Sequence, residues 1–137
     1  MSASGQDHPL DHQPRVKLAD AAEESWIVSR PDSPYYPLLI SACLSAGFSP
    51  NIAHYADEWD TGLALIAYGF GVCLIPRMAR IHDDWEVTRV PLSGKTQPSR
   101  RILSLTRMGA RKQPTIMAAL EHIEARVASM FAPEWSP

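Results

Sequence analysis

Apolar and polar positions along the chain switch between a helical and a strand spacing, which predicts an α/β fold. The clearest segment runs from 57 to 76 and reads DEWDTGLALIAYGFGVCLIP. Its apolar residues recur at helical spacing and predict a helix with one apolar face: Trp59, Leu63, Ile66 and Phe70. Gly69 and Gly71 are expected to end this helix and turn the chain, because glycine has no Cβ. The apolar run 72–75, closed by Pro76, predicts a strand that is buried on both faces.

The same two spacings extend the alternation over most of the chain. They predict strands at 26–28, 51–55, 85–92 and 102–106, and helices at 34–46 and 114–130. Alternating strands and helices favour a mostly parallel sheet with helices on its faces. Residues 1–14 are polar and are expected to form a flexible N-terminal segment.

The topology also predicts where a ligand would bind, because ligands of such sheets lie beyond the carboxyl ends of the strands. Three loops meet that condition, at 29–33, 56–59 and 76–78. In them, Arg30 is a candidate anion partner, and two serines are candidate hydroxyl donors: Ser29 and Ser33. Trp59 is either an aromatic wall of this site or a core residue, and the sequence leaves both interpretations open.

Composition restricts the class of protein. The chain has 137 residues, the size of one domain, and a formal net charge of -2, which argues against a nucleic-acid-binding domain. The first residues lack the apolar core of a signal peptide, and no run reaches the roughly 18 apolar residues of a membrane span. We therefore expect a cytoplasmic protein with no membrane partner, in which Cys43 and Cys73 are reduced and buried.

Catalytic and metal-binding motifs give little support to an enzyme. Asp57, Glu58 and Asp60 could perform acid–base chemistry, but acidic residues at a helix N-terminus are the simpler interpretation, with Asp57 as N-cap. The two cysteines have no evident histidine partner. His8 and His12 have the i, i+4 spacing of metal ligands, but their polar, proline-flanked setting favours a loop. The sequence therefore predicts no catalytic residue, no metal and no cofactor.

Several short motifs, taken in order, resemble the effector-binding domain of LysR-type transcriptional regulators. They are HPL at 8–10, VKLAD at 16–20, WIV at 26–28, AGFSP at 46–50, the segment 57–76, a return strand at 101–107 and a final helix at 114–130. Each motif is short, but the ordered set covers about residues 7–130 and is fairly specific.

The resemblance implies a type 2 periplasmic-binding-protein-like fold, in which two α/β subdomains close on a small-molecule effector. Residues 15–100 would form the second, Rossmann-like subdomain. Residues 101–137 would form the return strand and C-terminal helix that normally pack on the first subdomain. The family also implies self-association, and DNA binding only through a winged helix-turn-helix that this chain lacks.

Position in the family implies an effector site made of Ser29, Arg30, Ser33, Asp57, Glu58, Trp59 and Pro76. Because the family often has a small polar residue near position 57, Asp57 and Glu58 favour an effector with a cationic or hydrogen-bond-donor group, unless Arg30 or backbone N–H groups dominate the site. Two other hypotheses stay open: a stand-alone binding or interaction module with the same half-fold, and a small α/β enzyme that uses Asp57 or Glu58. The apolar faces of the return strand and last helix are expected to fold back, to pair with a second copy, or to be disordered.

Overall fold

The computed structural model describes residues 2–5, 8–94 and 97–131, and its internal contacts divide the chain into two units, Met1–Ser99 and Arg100–Pro137. In chain order, the strands and helices are β1 (Ser2–Gly5), β2 (Ser25–Val28), α1 (Tyr35–Ser45), β3 (Asn51–Tyr55), α2 (Trp59–Ala67), β4 (Cys73–Leu74), β5 (Val87–Val90) and α3 (Pro114–Phe131). The assignment of residues 15–100 and 101–137 to subdomains of the family stays a prediction.

The strands of the first unit form a parallel and an antiparallel set. β2 pairs in parallel with β3, and a parallel bridge joins Trp26 of β2 to Val72, the residue before β4. β1 lies between β4 and β5 and runs antiparallel to both. The strand order is therefore β3, β2, β4, β1, β5. The parallel pairing confirms the α/β class predicted from the alternation of elements.

One face of this sheet buries the larger of two hydrophobic clusters. Leu39 and Cys43 of α1 pack against Trp26 and Val28 of β2, together with Val72 and buried residues from the chain before β2 and the end of β5. Trp26 is fully buried, and its indole Nε1–H donates a 3.0 Å hydrogen bond to the backbone oxygen of Ala21.

The opposite face of the sheet carries α2. Leu63 and Ile66, both fully buried, pack against Ile27, Cys73 and Ile75. Successive strand residues point to opposite faces, so Ile27 lies on the α2 side while its neighbours Trp26 and Val28 lie on the α1 side. Helices cover both faces, and the ends of the strands stay accessible.

The turn between α2 and β4 depends on two glycines, as the sequence predicts. Gly69 and Gly71 have φ angles of 76° and 141°. At Gly71 an added Cβ would lie 2.1 Å from the backbone oxygen of Ser25. The close approach of two backbones at this point requires glycine.

The N-terminal segment contains a strand that the sequence does not predict. Ser2–Gly5 forms β1, and Leu10 is buried in the α1-side cluster. The polar sequence of β1 gives no strand pattern, and the strand exists because β4 and β5 offer it backbone partners on both sides. The flexibility expected for residues 1–14 stays a prediction, and Met1, Gln6 and Asp7 lie outside the described residues.

The second unit contains α3, as predicted, but the predicted return strand is wrong. Residues 102–106 have no regular secondary structure, and Ile102, Leu103 and Leu105 are exposed. A strand needs a neighbouring backbone for its N–H and C=O groups, and no strand in the described part of the chain pairs with this segment. On α3, several apolar side chains are exposed: Met117, Ile123, Val127 and Met130.

Candidate functional site

The candidate site lies at the edge of the sheet where β2, β3 and β4 end. Because these strands run in parallel, their carboxyl ends meet at the same edge. The loops that leave this edge are 29–34, 56–58 and 75–79, and they contain every residue proposed for effector binding from the sequence except Trp59, which begins α2 directly after the second loop.

Arg30 and Asp57 form a polar contact between two of these loops. The backbone N–H of Arg30 donates to Oδ1 of Asp57 at 2.9 Å, and the Arg30 Nε lies 3.3 Å from Oδ2 of the same carboxylate. The interpretation of Asp57 as the N-cap of α2 is wrong. Glu58 occupies the N-cap without a side-chain capping bond, and the Asp57 carboxylate instead accepts from the backbone N–H of Arg30 in the loop after β2.

This ion pair changes the charge balance expected for the site. The sequence-based preference for a cationic effector rests on the charges of Asp57 and Glu58 and holds only if Arg30 does not dominate the site. Arg30 compensates Asp57, which leaves the exposed Glu58 as the acidic residue that could set the charge preference.

The Arg30–Asp57 pair is expected to be weak, because the two side chains are 69% and 49% exposed. A double-mutant cycle of Arg30→Gln and Asp57→Asn should give a coupling free energy of about 0.2–1 kcal/mol in urea unfolding at low salt, and less at high ionic strength. A coupling near zero at low salt would show that the contact does not hold the two loops together in solution.

Trp59 combines the two roles that the sequence left open. It is the first residue of α2 and is half-buried, packed in part against the α2-side cluster. Its ring also meets Tyr35 edge to face, with ring centroids 4.9 Å apart. The backbone N–H of Tyr35 donates to Oγ of Ser33 at 3.3 Å. The Ser33 loop is thereby connected to Trp59 through Tyr35.

Three predicted site residues lie at the edge without joining these contacts. Among the described residues, the side chains of Ser29, Glu58 and Pro76 make no hydrogen bond or ion pair with the other candidates. Pro76 follows the last buried residue after β4, and its backbone oxygen accepts a 3.0 Å hydrogen bond from the N–H of Ala79. The loop after β4 is therefore a closed turn.

Sequence reasoning missed two residues at this edge. Tyr35 begins the helix that follows the β2 loop, and the rule that selected the loop could also have selected this position. Arg89 lies in β5 and donates to backbone oxygens of the loop after β4. The sequence feature that could have identified Arg89 is its position as a single charged residue between Thr88 and Val90 in a predicted strand.

The remaining chemical groups support no second site. Burial raises the pKa of the Cys43 thiol to about 11 and that of Cys73 to about 12, so neither thiol is a ready nucleophile. His8 lies in a segment without helix or strand, as predicted, and its Nε2 lies 3.2 Å from the Glu24 carboxylate. Within the described residues, no cluster of three or more histidine, cysteine or acidic residues could hold a metal.

Comparison with known proteins identifies the family. The profile described as the LysR substrate binding domain matches residues 3–128, which is nearly the whole chain. The chain belongs to the LysR substrate-binding domain family. The match confirms the resemblance seen in the ordered motifs.

Individual relatives agree with this assignment. The HTH-type transcriptional regulator TtuA of Agrobacterium vitis is 38% identical over 89 residues, which cover 62% of this chain and 29% of that protein. The effector-binding domain of QuiR in complex with shikimate has a TM-score of 0.64 at 21% identity, over 70% of this chain and 46% of that one. The BenM effector-binding domain with benzoate has a TM-score of 0.63 at 20% identity, over 100% of this chain and 62% of that one.

These comparisons confirm the periplasmic-binding-protein-like fold of the family and define the extent of the match. This LysR-family chain spans about three-tenths of the length of the curated relatives it matches. None of the helices in the described part of the chain has both the length and the apolar character needed to cross a membrane.

Proposed function

We propose that this chain is the effector-sensing portion of a cytoplasmic LysR-type transcriptional regulator and has no catalytic activity. The observation that carries the proposal is the edge at which three loops leave parallel strands, with Arg30 and Asp57 in contact across two of them. In a chain of this family, that edge is the half of the effector cleft contributed by the second subdomain.

A small metabolite at this edge would act by favouring one arrangement of the subdomains. A ligand shifts a conformational equilibrium only by its difference in affinity for the two states. The metabolite can contact this edge and a facing subdomain at the same time only in the closed state, so it would favour that state. Closure would change the geometry of an oligomer that holds DNA through a winged helix-turn-helix outside this chain.

The groups at the edge favour a small ring compound with a polar or charged substituent. Trp59 and Tyr35 offer aromatic surface, and Ser29 and Arg30 offer donors. QuiR is described in complex with shikimate and BenM with benzoate, both ring carboxylates, which makes these two compounds suitable first probes.

Amide NMR titrations of the 137-residue chain test this proposal, with benzoate, shikimate and the cation benzylamine as probes. Half a cleft supplies half the contacts, so we expect weak binding, with dissociation constants on the order of 1 mM. The perturbed amides should lie in the three loops of the edge. Perturbation confined to other surfaces by all three probes would contradict the proposal.

Glu58 should decide the charge preference of the site. Glu58→Gln is expected to raise the affinity for benzoate and to lower that for benzylamine, each by about two- to fivefold, because exposed charges near 4 Å interact by about 1 kcal/mol in water. Glu23→Gln removes an exposed carboxylate elsewhere and serves as the matched control. Equal effects of the two variants would remove Glu58 from the site.

A further inference from the structure

Arg89 of β5 reaches the loop that follows β4. Its Nη1 donates to the backbone oxygen of Arg77 at 3.0 Å, and its Nη2 donates to the backbone oxygen of Ala79. The guanidinium group is planar and rigid, so one side chain fixes two carbonyl groups that are two residues apart in the loop.

The loop 76–79 is short, and its tip is exposed. The Ala79 N–H donates to the oxygen of Pro76, while Arg77 and Met78 are exposed. Ala79 and Ile81 contact the α2-side cluster but are only half-buried. The two bonds from Arg89 therefore connect the backbone of this partly exposed loop to β5.

Burial of the Arg89 guanidinium group costs hydration that a residue used only for packing would not need to lose. Its Nε is buried and has no acceptor among the described residues, and burial lowers the pKa of the guanidinium group. The guanidinium group donates to two backbone oxygens and forms no ion pair with a carboxylate among the described residues, so no opposite charge offsets its loss of hydration. An apolar side chain would fill the same space without this loss, but it could not hold the loop.

We propose that Arg89 is a positioning residue of the effector site, which holds the loop 76–79 in place before a ligand binds. This role in binding rests on the proposed function, because it requires the loop to be a wall of the effector cleft. The holding of the loop itself does not depend on that function and can be measured without a ligand.

Amide hydrogen exchange of the 137-residue chain tests the holding of the loop. Arg89→Met should accelerate exchange of the Ala79 amide at least tenfold more than that of the Ile27 amide, which is bonded to Val72 in the sheet. Arg89→Lys keeps the charge but can reach one carbonyl at a time, so it should give an intermediate effect. Arg15→Met, at an exposed arginine, is the matched control.

Two outcomes of the exchange experiment would overturn the proposal. The first is equal acceleration at Ala79 and Ile27, which would mean that Arg89 only stabilises the whole fold. The second is an unchanged Ala79 amide in both Arg89 variants. The Lys variant keeps the test decisive if the Met variant fails to fold.

A benzoate titration of the same variants separates this proposal from the proposed function. Arg89→Met should weaken benzoate binding at least fivefold if the preset loop contributes to the site. A loosened loop with unchanged affinity would overturn the positioning role. If benzoate, shikimate and benzylamine all leave the edge of the wild-type chain unperturbed, the proposed function fails, while the exchange result still decides whether Arg89 holds the loop.

Discussion

Gly71→Ala is expected to lower the free energy of unfolding by about 3–5 kcal/mol, among the largest effects of any single substitution in this chain. The added Cβ would lie 2.1 Å from the backbone oxygen of Ser25 and 2.9 Å from its carbonyl carbon. Neither atom belongs to a flexible side chain that could move aside. The φ of 141° at this position is also one that residues with a Cβ rarely adopt.

Relief of this clash would disrupt the connection between β2 and β4. The same Ser25 oxygen accepts a 2.8 Å hydrogen bond from the Val72 N–H, and the Val72 oxygen accepts a 2.9 Å bond from the Ile27 N–H. A displacement of the backbone at Gly71 therefore breaks the parallel bridge that joins the two sets of strands. Because β4 leads into the Pro76 loop, the candidate site should be lost together with the fold.

Gly69→Ala is the matched control for this prediction. Gly69 also has a positive φ, 76°, but an added Cβ would meet nothing within 4 Å. We expect a loss of only about 1–2 kcal/mol from backbone strain. Urea unfolding followed by circular dichroism measures both variants. Similar losses for the two would mean that strain, and not the contact with Ser25, explains the need for glycine at 71.

The periodic parts of the fold could be predicted from the sequence. The spacing of Leu63 and Ile66 placed α2, and both residues are fully buried against the sheet. The apolar run before Pro76 placed a buried strand, although only Cys73 and Leu74 form its regular part. These predictions succeeded because each pattern reports burial of its own segment, which local spacing encodes.

The strand predictions that failed depend on partners distant in the sequence. Ser2–Gly5 has no strand pattern, yet it forms a strand between β4 and β5. Residues 102–106 have the pattern but lack a paired backbone in the described chain. Strand formation depends more on neighbours than on intrinsic preference, so a single sequence could not decide either case.

The candidate site shows the same division between local and distant information. Its loops could be predicted, because sheet topology alone places them at one edge. The Arg30–Asp57 contact joins residues 27 positions apart, and Arg89 reaches a loop 10 to 12 residues before it. These contacts depend on the register of strands and on side-chain conformation, which no short motif in the chain encodes.

Trp26→Ala is expected to lower the free energy of unfolding by about 3–5 kcal/mol, the usual range for removal of a buried aromatic side chain. Trp26 is fully buried, and its ring packs near Phe48 with centroids 6.1 Å apart. Trp26→Phe should lose about 1–3 kcal/mol, because it removes the buried indole bond to the Ala21 oxygen, which keeps only the 3.3 Å bond from the Glu24 N–H. Circular dichroism during urea unfolding measures both losses.

Trp59→Ala is the comparison that tests the site, because the same side chain is removed from a half-buried position. Its edge-to-face contact with Tyr35 suggests a loss of only about 1–2 kcal/mol. The folded variant should nevertheless bind benzoate at least fivefold more weakly, since the ring is then absent from the edge of the site.

The two tryptophans therefore separate a core role from a site role. If Trp59→Ala destabilises the chain as much as Trp26→Ala does, Trp59 is a core residue. If Trp59→Ala folds and binds benzoate as the wild type does, the aromatic wall of the proposed site is excluded. A mild loss of stability with a clear loss of binding is the result that the position of Trp59, at the start of α2 and against Tyr35, predicts.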